Sequence, residues 1–378
     1  MNKVFQMTNQ KIFFVVVTVI MVVVIIFGTN TRIDYKAADD SGITYVLGEI
    51  VTVESEEIEI GEDGIHRGSQ QLKVKLKEGS RKGDIIDVKN TSSIGHNFYA
   101  KTGQEYIICL DQPQDDYYFA TIFGYNRSIA IYIIAVVFFL SLIIVCGKTG
   151  AKAAFGLVFA FVMIIFLLLP LITTGAPPVL LSIGVMICIM TVSLIALMGF
   201  SKKTYAAILG TSAGLVLCCI IFSLLSYILK INGYNVDEID TLIVIAYNTN
   251  IQIKDLLFVG VLIASLGAIM DVAVSVSSSV SELNDLNPGS SFNVLFKSGL
   301  TIGRDITGST ANTLILAFAG TFFTTLFLYR MFGIQFNQLI NMDSIAIEIA
   351  QALSASFVLI FTAPITAFFS ARFQKSMR

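Results

Sequence analysis

Residues 129–146, IAIYIIAVVFFLSLIIVC, run for 18 positions without one charged side chain. A bilayer core of roughly 30 Å takes about 20 apolar residues per helix, so this stretch reads as a membrane span. Working outward from it, seven more stretches meet or approach that length: 12–28, 153–172, 178–199, 205–229, 255 to about 273, 306–329 and 345–371. The composition agrees, with 55% hydrophobic and 14% charged residues in a chain of 378. A soluble protein carries about 25% charged residues. The reading is an α-helical polytopic membrane protein of about eight transmembrane helices.

The net charge of −2 hides an asymmetry: residues 29–128 hold 17 acidic and 11 basic side chains, leaving 10 and 14 for the rest. A polar, acidic module is therefore inserted between the first and second spans. Bulk charge excludes nucleic-acid binding, which needs a concentrated basic face. Short cytoplasmic loops retain lysine and arginine, and this orients the chain. With the N-terminus inside, Lys3, Lys11, Lys148, Lys152, Lys202, Lys203, Lys297, Arg304, Arg372, Lys375 and Arg378 are cytoplasmic. Only Lys230, Lys254 and Arg330 fall in short outer loops. Both termini are then cytoplasmic and residues 29–128 extracytoplasmic. The first span resembles a signal peptide but has no small-residue cleavage site before Asn30, so it reads as an uncleaved anchor.

The expected division is an anchor helix over 1–28, a β domain over 29–128 and a seven-helix membrane domain over 129–378. In the β domain, residues 43–60 alternate β-branched and charged side chains, as do 72–77, 84–89 and 105–110, with glycines between them. Short strands at such spacing predict a small all-β, OB-like barrel. Its basic cluster, Lys73, Lys75, Lys77, Arg81 and Lys82, is either a binding face for an envelope ligand or a solvated strand face. Of five cysteines only Cys109 lies there, which excludes an internal disulfide, and both histidines, His66 and His96, lie there too. The membrane part has no imidazole for metal, haem or acid–base chemistry.

Several motifs fail on their context. Gly147-Lys148-Thr149 would need the first glycine of a phosphate loop at Leu142, inside a span. Gly210-Thr211-Ser212-Ala213-Gly214 mimics a nucleophile elbow but lies in a helix without a base. Its glycines are better read as a GxxxG packing pair, repeated at Gly299 and Gly303. Adjacent Cys218 and Cys219 read as packing, and the sequence matches the glycosylation sequon at Asn90 and Asn126. No enzyme, metal or cofactor is expected.

Residues 266–320 carry the polar core. Polar groups inside spans are costly and are functional candidates by default. On a helix, Asp271, Ser275, Ser278, Ser279 and Glu282 share one sector while Val272, Val276, Val280 and Leu283 line another. Asp305, Ser309, Asn312 and Thr313 repeat the offsets of Asp271, Ser275, Ser278 and Ser279. Two antiparallel helices can thus face each other with matched stripes, joined by a loop through Asn287-Pro288-Gly289, and with Arg304 pairing Asp271, Glu282 or Asp305. The last span adds Glu348, Gln351 and Ser354 near its outer end.

The runs GAIMDVAVSVSSSVSEL and IGRDITGSTANTLILAFAG resemble the YibE/F-like family of bacterial multi-pass membrane proteins. The anchor and β module resemble its longer, YibE-type members. The resemblance implies a plasma-membrane protein working as a homo-oligomer or with a shorter YibF-like partner, and it brings no substrate, reaction or catalytic residue. Two functions follow. A permease for a small solute or ion would use Asp271, Glu282 and Asp305 as titrating groups, Arg304 as their partner and Ser275, Ser278, Ser309 and Asn312 as neutral ligands between the sixth and seventh spans. An assembly or envelope-interaction protein would use the same stripes for packing. A polar cavity between those spans separates the two readings.

Overall fold

The computed structural model describes residues 2–31, 43–114, 117–231 and 255–376; Lys254 and Arg378 lie outside them. The chain forms two compact units, Met1–Asp34 with Leu142–Arg378, and Tyr35–Ser141. The elements in chain order are α1 (Asn2–Asn30), β1 (Ile43–Ile60), β2 (His66–Leu76), β3 (Ile85–Ser92), β4 (Glu105–Gln114), β5 (Tyr117–Tyr125), α2 (Ser128–Met163), a π-helical turn (Ile164–Leu168), α3 (Leu169–Thr173), α4 (Pro178–Met198), α5 (Lys202–Ile228), α6 (Leu256–Leu286), α7 (Phe292–Thr321), α8 (Phe323–Met331), α9 (Phe336–Ile340) and α10 (Asp343–Ser376).

The β unit is one antiparallel sheet of order β3-β2-β1-β4-β5. Two bulges bend β1, between Ile50 and Thr52 and between Val53 and Ser55. Such insertions increase local twist, so the start of β1 pairs with β4 while the remainder pairs with β2. At the crossover Gly48 pairs with both Leu76 and Tyr106, and a Cβ there would stand 2.7 Å from Ile108 Cγ1. The sheet curls until β3 and β5 lie near each other. The expected barrel is therefore a half-barrel: at this edge the Asp87 backbone N–H donates to Tyr118 Oη at 3.1 Å instead of to a neighbouring strand. Strand β5 is missing from the expected set because its aromatic run YYFATIFGY lacks a clean polar–apolar alternation.

Inside the curl, Ile50, Leu72, Val74, Val88, Tyr106, Ile108 and Ile122 form the core. Gln70 and Asn90 are buried among them. Gln70 Nε2 donates to the Ala100 carbonyl at 3.1 Å, and its Oε1 accepts from Ala100 N–H and from Asn90 Nδ2, both at 3.0 Å. Asn90 Nδ2 also donates to the Phe98 carbonyl at 2.7 Å. Two core amides thus tie the 93–104 connection to the sheet, and buried Asn90 presents no surface amide for a glycan. Three members of the basic cluster are paired, Lys73 with Glu54 and Asp87, Lys77 with Glu49 and Glu105, and Arg81 with Asp84, while Lys75 and Lys82 are exposed. The Lys77 hydrogen bond holds the Glu105 carboxyl below its usual range. Residues 32–125 expressed alone are expected to be soluble and to give a β-type circular dichroism spectrum; a helical or unfolded spectrum would refute an autonomous unit.

The eight apolar stretches lie on helical residues apart from Gly199, Leu229 and Phe322. Among the described residues, six helices are long and apolar enough to cross a membrane, or seven if the bent pair α7–α8 is one span. The count of eight differs because Ser128–Thr173 passes as one run of 46 residues. That run is broken at Gly147, whose φ of 57° and ψ of −135° leave the helical region. A positive φ of this kind suits glycine and strains other residues. Local signals set several other boundaries: Ser201 and Ser291 cap α5 and α7 by accepting from Thr204 and Val294 N–H, and Pro178 opens α4.

The bundle is built around α10, which packs against α5, α6 and α7. Thr362 and Thr366 face Gly214 and Gly210 of α5, while Ala363 and Ala367 face Gly303 and Gly299 of α7. Two glycine pairs thus seat two helices on either side of one small-residue helix. Close backbone approach of this kind supplies dispersion contacts where burial from water cannot drive association.

Candidate functional site: the polar faces of the α6–α7 hairpin

Helices α6 and α7 are antiparallel neighbours joined through Asn287-Pro288-Gly289. A Cβ on Gly299 would stand 2.8 Å from Val280 Cγ2, and one on Gly303 3.3 Å from Val276 Cγ2. These contacts set the register. Continued along both helices, it puts Ser275 level with Arg304, Asp271 level with Gly308, and Glu282 level with Lys297.

The seam is made of valines and glycines. Val272, Val276 and Val280 of α6 and Leu295, Gly299, Gly303 and Thr307 of α7 are buried. The polar stripes turn outward. Asp271 and Glu282 are exposed, Ser275 and Ser278 half-buried, and Arg304, Asp305, Ser309 and Asn312 are all exposed. Among the described residues, Asp271, Glu282, Arg304 and Asp305 form no ion pair. This corrects the expectation of facing stripes bridged by Arg304. Each stripe lies roughly 120° around its helix from the apolar face, so burying the valines against the glycines directs both stripes away from the contact. The signal was in the sequence: glycines four apart on α7 mark the face that another helix can approach.

Among the described residues, the seam from Val272 to Val280 and from Gly299 to Thr307 is filled by buried side chains. A shallow depression of about 380 Å³ lies at its loop end, against Leu283, Lys297, Ser298, Thr301 and Ile302. Elsewhere, a cleft of about 400 Å³ runs beside Lys152, Gly156, Ile164, Ser193, Gly267 and Met270 and is almost wholly apolar. Its wall includes the π-helical turn.

Sequence reading missed the hydroxyl-rich packing of α10. Ser354, Ser356 and Thr362 donate to carbonyls four residues back. Thr211 Oγ1, Thr366 Oγ1 and Ser370 Oγ are buried without a partner among the described residues. The serine and threonine spacing alone could not mark which hydroxyls face another helix. Among the described residues no cluster of His, Cys, Asp or Glu could hold a metal.

In comparison with known proteins, residues 134–376 match the family model described as "YibE/F-like protein". That interval contains the hairpin, its glycine seam and α10, and leaves the β unit outside. No curated protein and no solved structure matches the chain. With well over half of its length matched, including both polar stripes, the chain belongs to the YibE/F-like family.

Proposed function

We propose that the chain is a multi-pass plasma-membrane protein that works by assembly, with the outward polar faces of α6 and α7 covered by another membrane-embedded chain. One observation carries this reading: the α6–α7 seam is closed by small apolar residues while its charged and amide side chains face outward. A charged side chain at the centre of a bilayer costs roughly 2.5–3.5 kcal/mol on insertion scales, which favours cover by protein over cover by lipid. The partner is a second copy or a shorter YibF-like chain. A second copy has a chemical argument in its favour, because Asn312 can donate to and accept from its own image, and neighbouring Arg304 and Asp305 complement their images. The β unit would then meet an envelope component, and no catalysis is assigned.

The test is a photo-crosslinking residue at position 312 of the full chain in native membranes. A protein adduct, of twice the mass for a second copy, is the expected result. Adducts with lipid alone would sink the proposal.

A permease is the second reading, favoured by the levels at which Asp271, Arg304 and Asp305 stand. Its passage would lie between chains instead of between α6 and α7. Asp271→Asn and Asp305→Asn would then accumulate normally yet lose solute flux, whereas under assembly alone the crosslink itself weakens.

The orientation belongs to the same proposal. Cysteines placed at Ser69 and Asn337 should react with an impermeant thiol reagent in intact cells, and one at Thr149 should not. Labelling at Thr149 would reverse the topology.

A further inference from the structure

The chain breaks direction between α7 and α8: the two helices meet at 52° across Phe322. A cavity of about 290 Å³ lies at this break, walled by Phe318 and Phe322, by Leu326 of α8, and by Ile345, Ile349 and Glu348 of α10. Every wall residue except Glu348 is apolar, and no lysine, arginine or histidine is among them. Glu348 is half-buried; its Oε2 lies against this wall, buried and without a hydrogen-bond partner among the described residues.

A lone carboxyl in such a setting is expensive. Taking a carboxylate oxygen out of water without a partner is costly, and a cation on that side offsets the cost. Hydrophobic residues would fill the space at lower cost, so the chemistry of the wall points to a ligand. We propose that this cavity is a binding site for a small lipophilic monocation, an alkyl- or arylammonium, with Glu348 as its counter-charge. Three features of the wall fit that class. The volume approaches the lower end of small-molecule pockets, at roughly 300 Å³. Apolar side chains accept the organic substituents. Two phenylalanines stand in the wall, and aromatic rings attract a desolvated cation. A metal ion or hydrated inorganic cation does not fit, because a single carboxyl among hydrocarbon cannot replace a hydration shell.

The site is independent of the assembly reading, since none of its wall residues belongs to the polar stripes. The experiment compares two probes of nearly identical shape, benzyltrimethylammonium and its neutral carbon isostere neopentylbenzene. Each is titrated calorimetrically against the detergent-solubilised full chain. The expected result is sub-millimolar binding of the cation, at least tenfold tighter than the isostere. Glu348→Gln keeps the shape and removes the charge, so it should erase the preference and leave binding of the isostere unchanged. Ala352 also lines the cavity, so Ala352→Phe fills it and should block both probes. Equal binding of the two probes, retention of the preference in Glu348→Gln, or failure of the cation to bind would each overturn the assignment. Correct folding of the Gln variant is checked by its elution volume and by the isostere itself.

Discussion

Leucine at Gly303 or Gly214 is expected to do more damage to the helical unit than any change on its surface. A Cβ at 303 would stand 2.9 Å from Ala363 Cβ, and one at 214 would stand 2.7 Å from both Ile269 Cγ2 and Thr362 Oγ1. At Gly303 the obstacle is an alanine Cβ fixed to the α10 backbone, so relief requires the helices to part. Overpacking of a close-fitted core costs about 1–3 kcal/mol and sometimes more. These sites belong at the upper end because α10 is wedged between α5 and α7. Membrane-fraction abundance and the temperature of aggregation in detergent are the readouts. Gly260→Leu and Gly184→Leu are the controls, since a Cβ at either position meets nothing within 4 Å. If Gly303→Leu accumulates and melts like Gly260→Leu, the glycine seam is not what holds the hairpin to α10.

The second large effect is expected in the β unit, from Gln70→Leu. This change strands the Ala100 N–H and carbonyl and removes one acceptor from Asn90 Nδ2, all inside the sheet's curl. A buried polar group left unpaired costs about 1–3 kcal/mol, so a total loss of about 3 kcal/mol is expected. For a domain of this size about 1 kcal/mol lowers the melting temperature by about 4–8 °C, which gives a drop of about 12–24 °C in the isolated residues 32–125. Gln71→Leu, on the exposed face, should change it little. A Gln70→Leu domain that melts with the wild type would mean that the 93–104 connection is held by its apolar contacts alone.

The structure also changes what the polar residues can be asked to do. Had Arg304 been buried against Asp305 and Asp271, removing it would have stranded two charges inside the bundle. With the stripes outward, the same substitutions test the surface that the proposed partner chain would cover, and their effect on the bundle alone should be small.

Much of this was legible in the amino-acid order. Long uncharged runs such as 129–146 select helices by length and composition. The β-branched and charged alternation of 43–60 selects a strand, and glycines four apart select faces of close approach. These are local properties, set by backbone geometry and by the spacing of side chains on one element. The family resemblance was local too, carried by the two runs of the hairpin. The direction in which each stripe points was not legible. Asp271 and Asp305 have the same offsets to their polar neighbours, which is compatible with stripes that meet and with stripes that diverge. What decides between them is which face of each helix gains most from burial, and that depends on partners far along the chain: Ala363 and Ala367 of α10 complete the glycine face of α7, and the valines of α6 fill the rest. The same holds for Gln70 and Asn90, ordinary strand residues in the sequence that become a buried network only when the 93–104 connection folds across them. It holds for Glu348 as well, a single carboxylate near a helix start until the bend at Phe322 sets hydrocarbon around it.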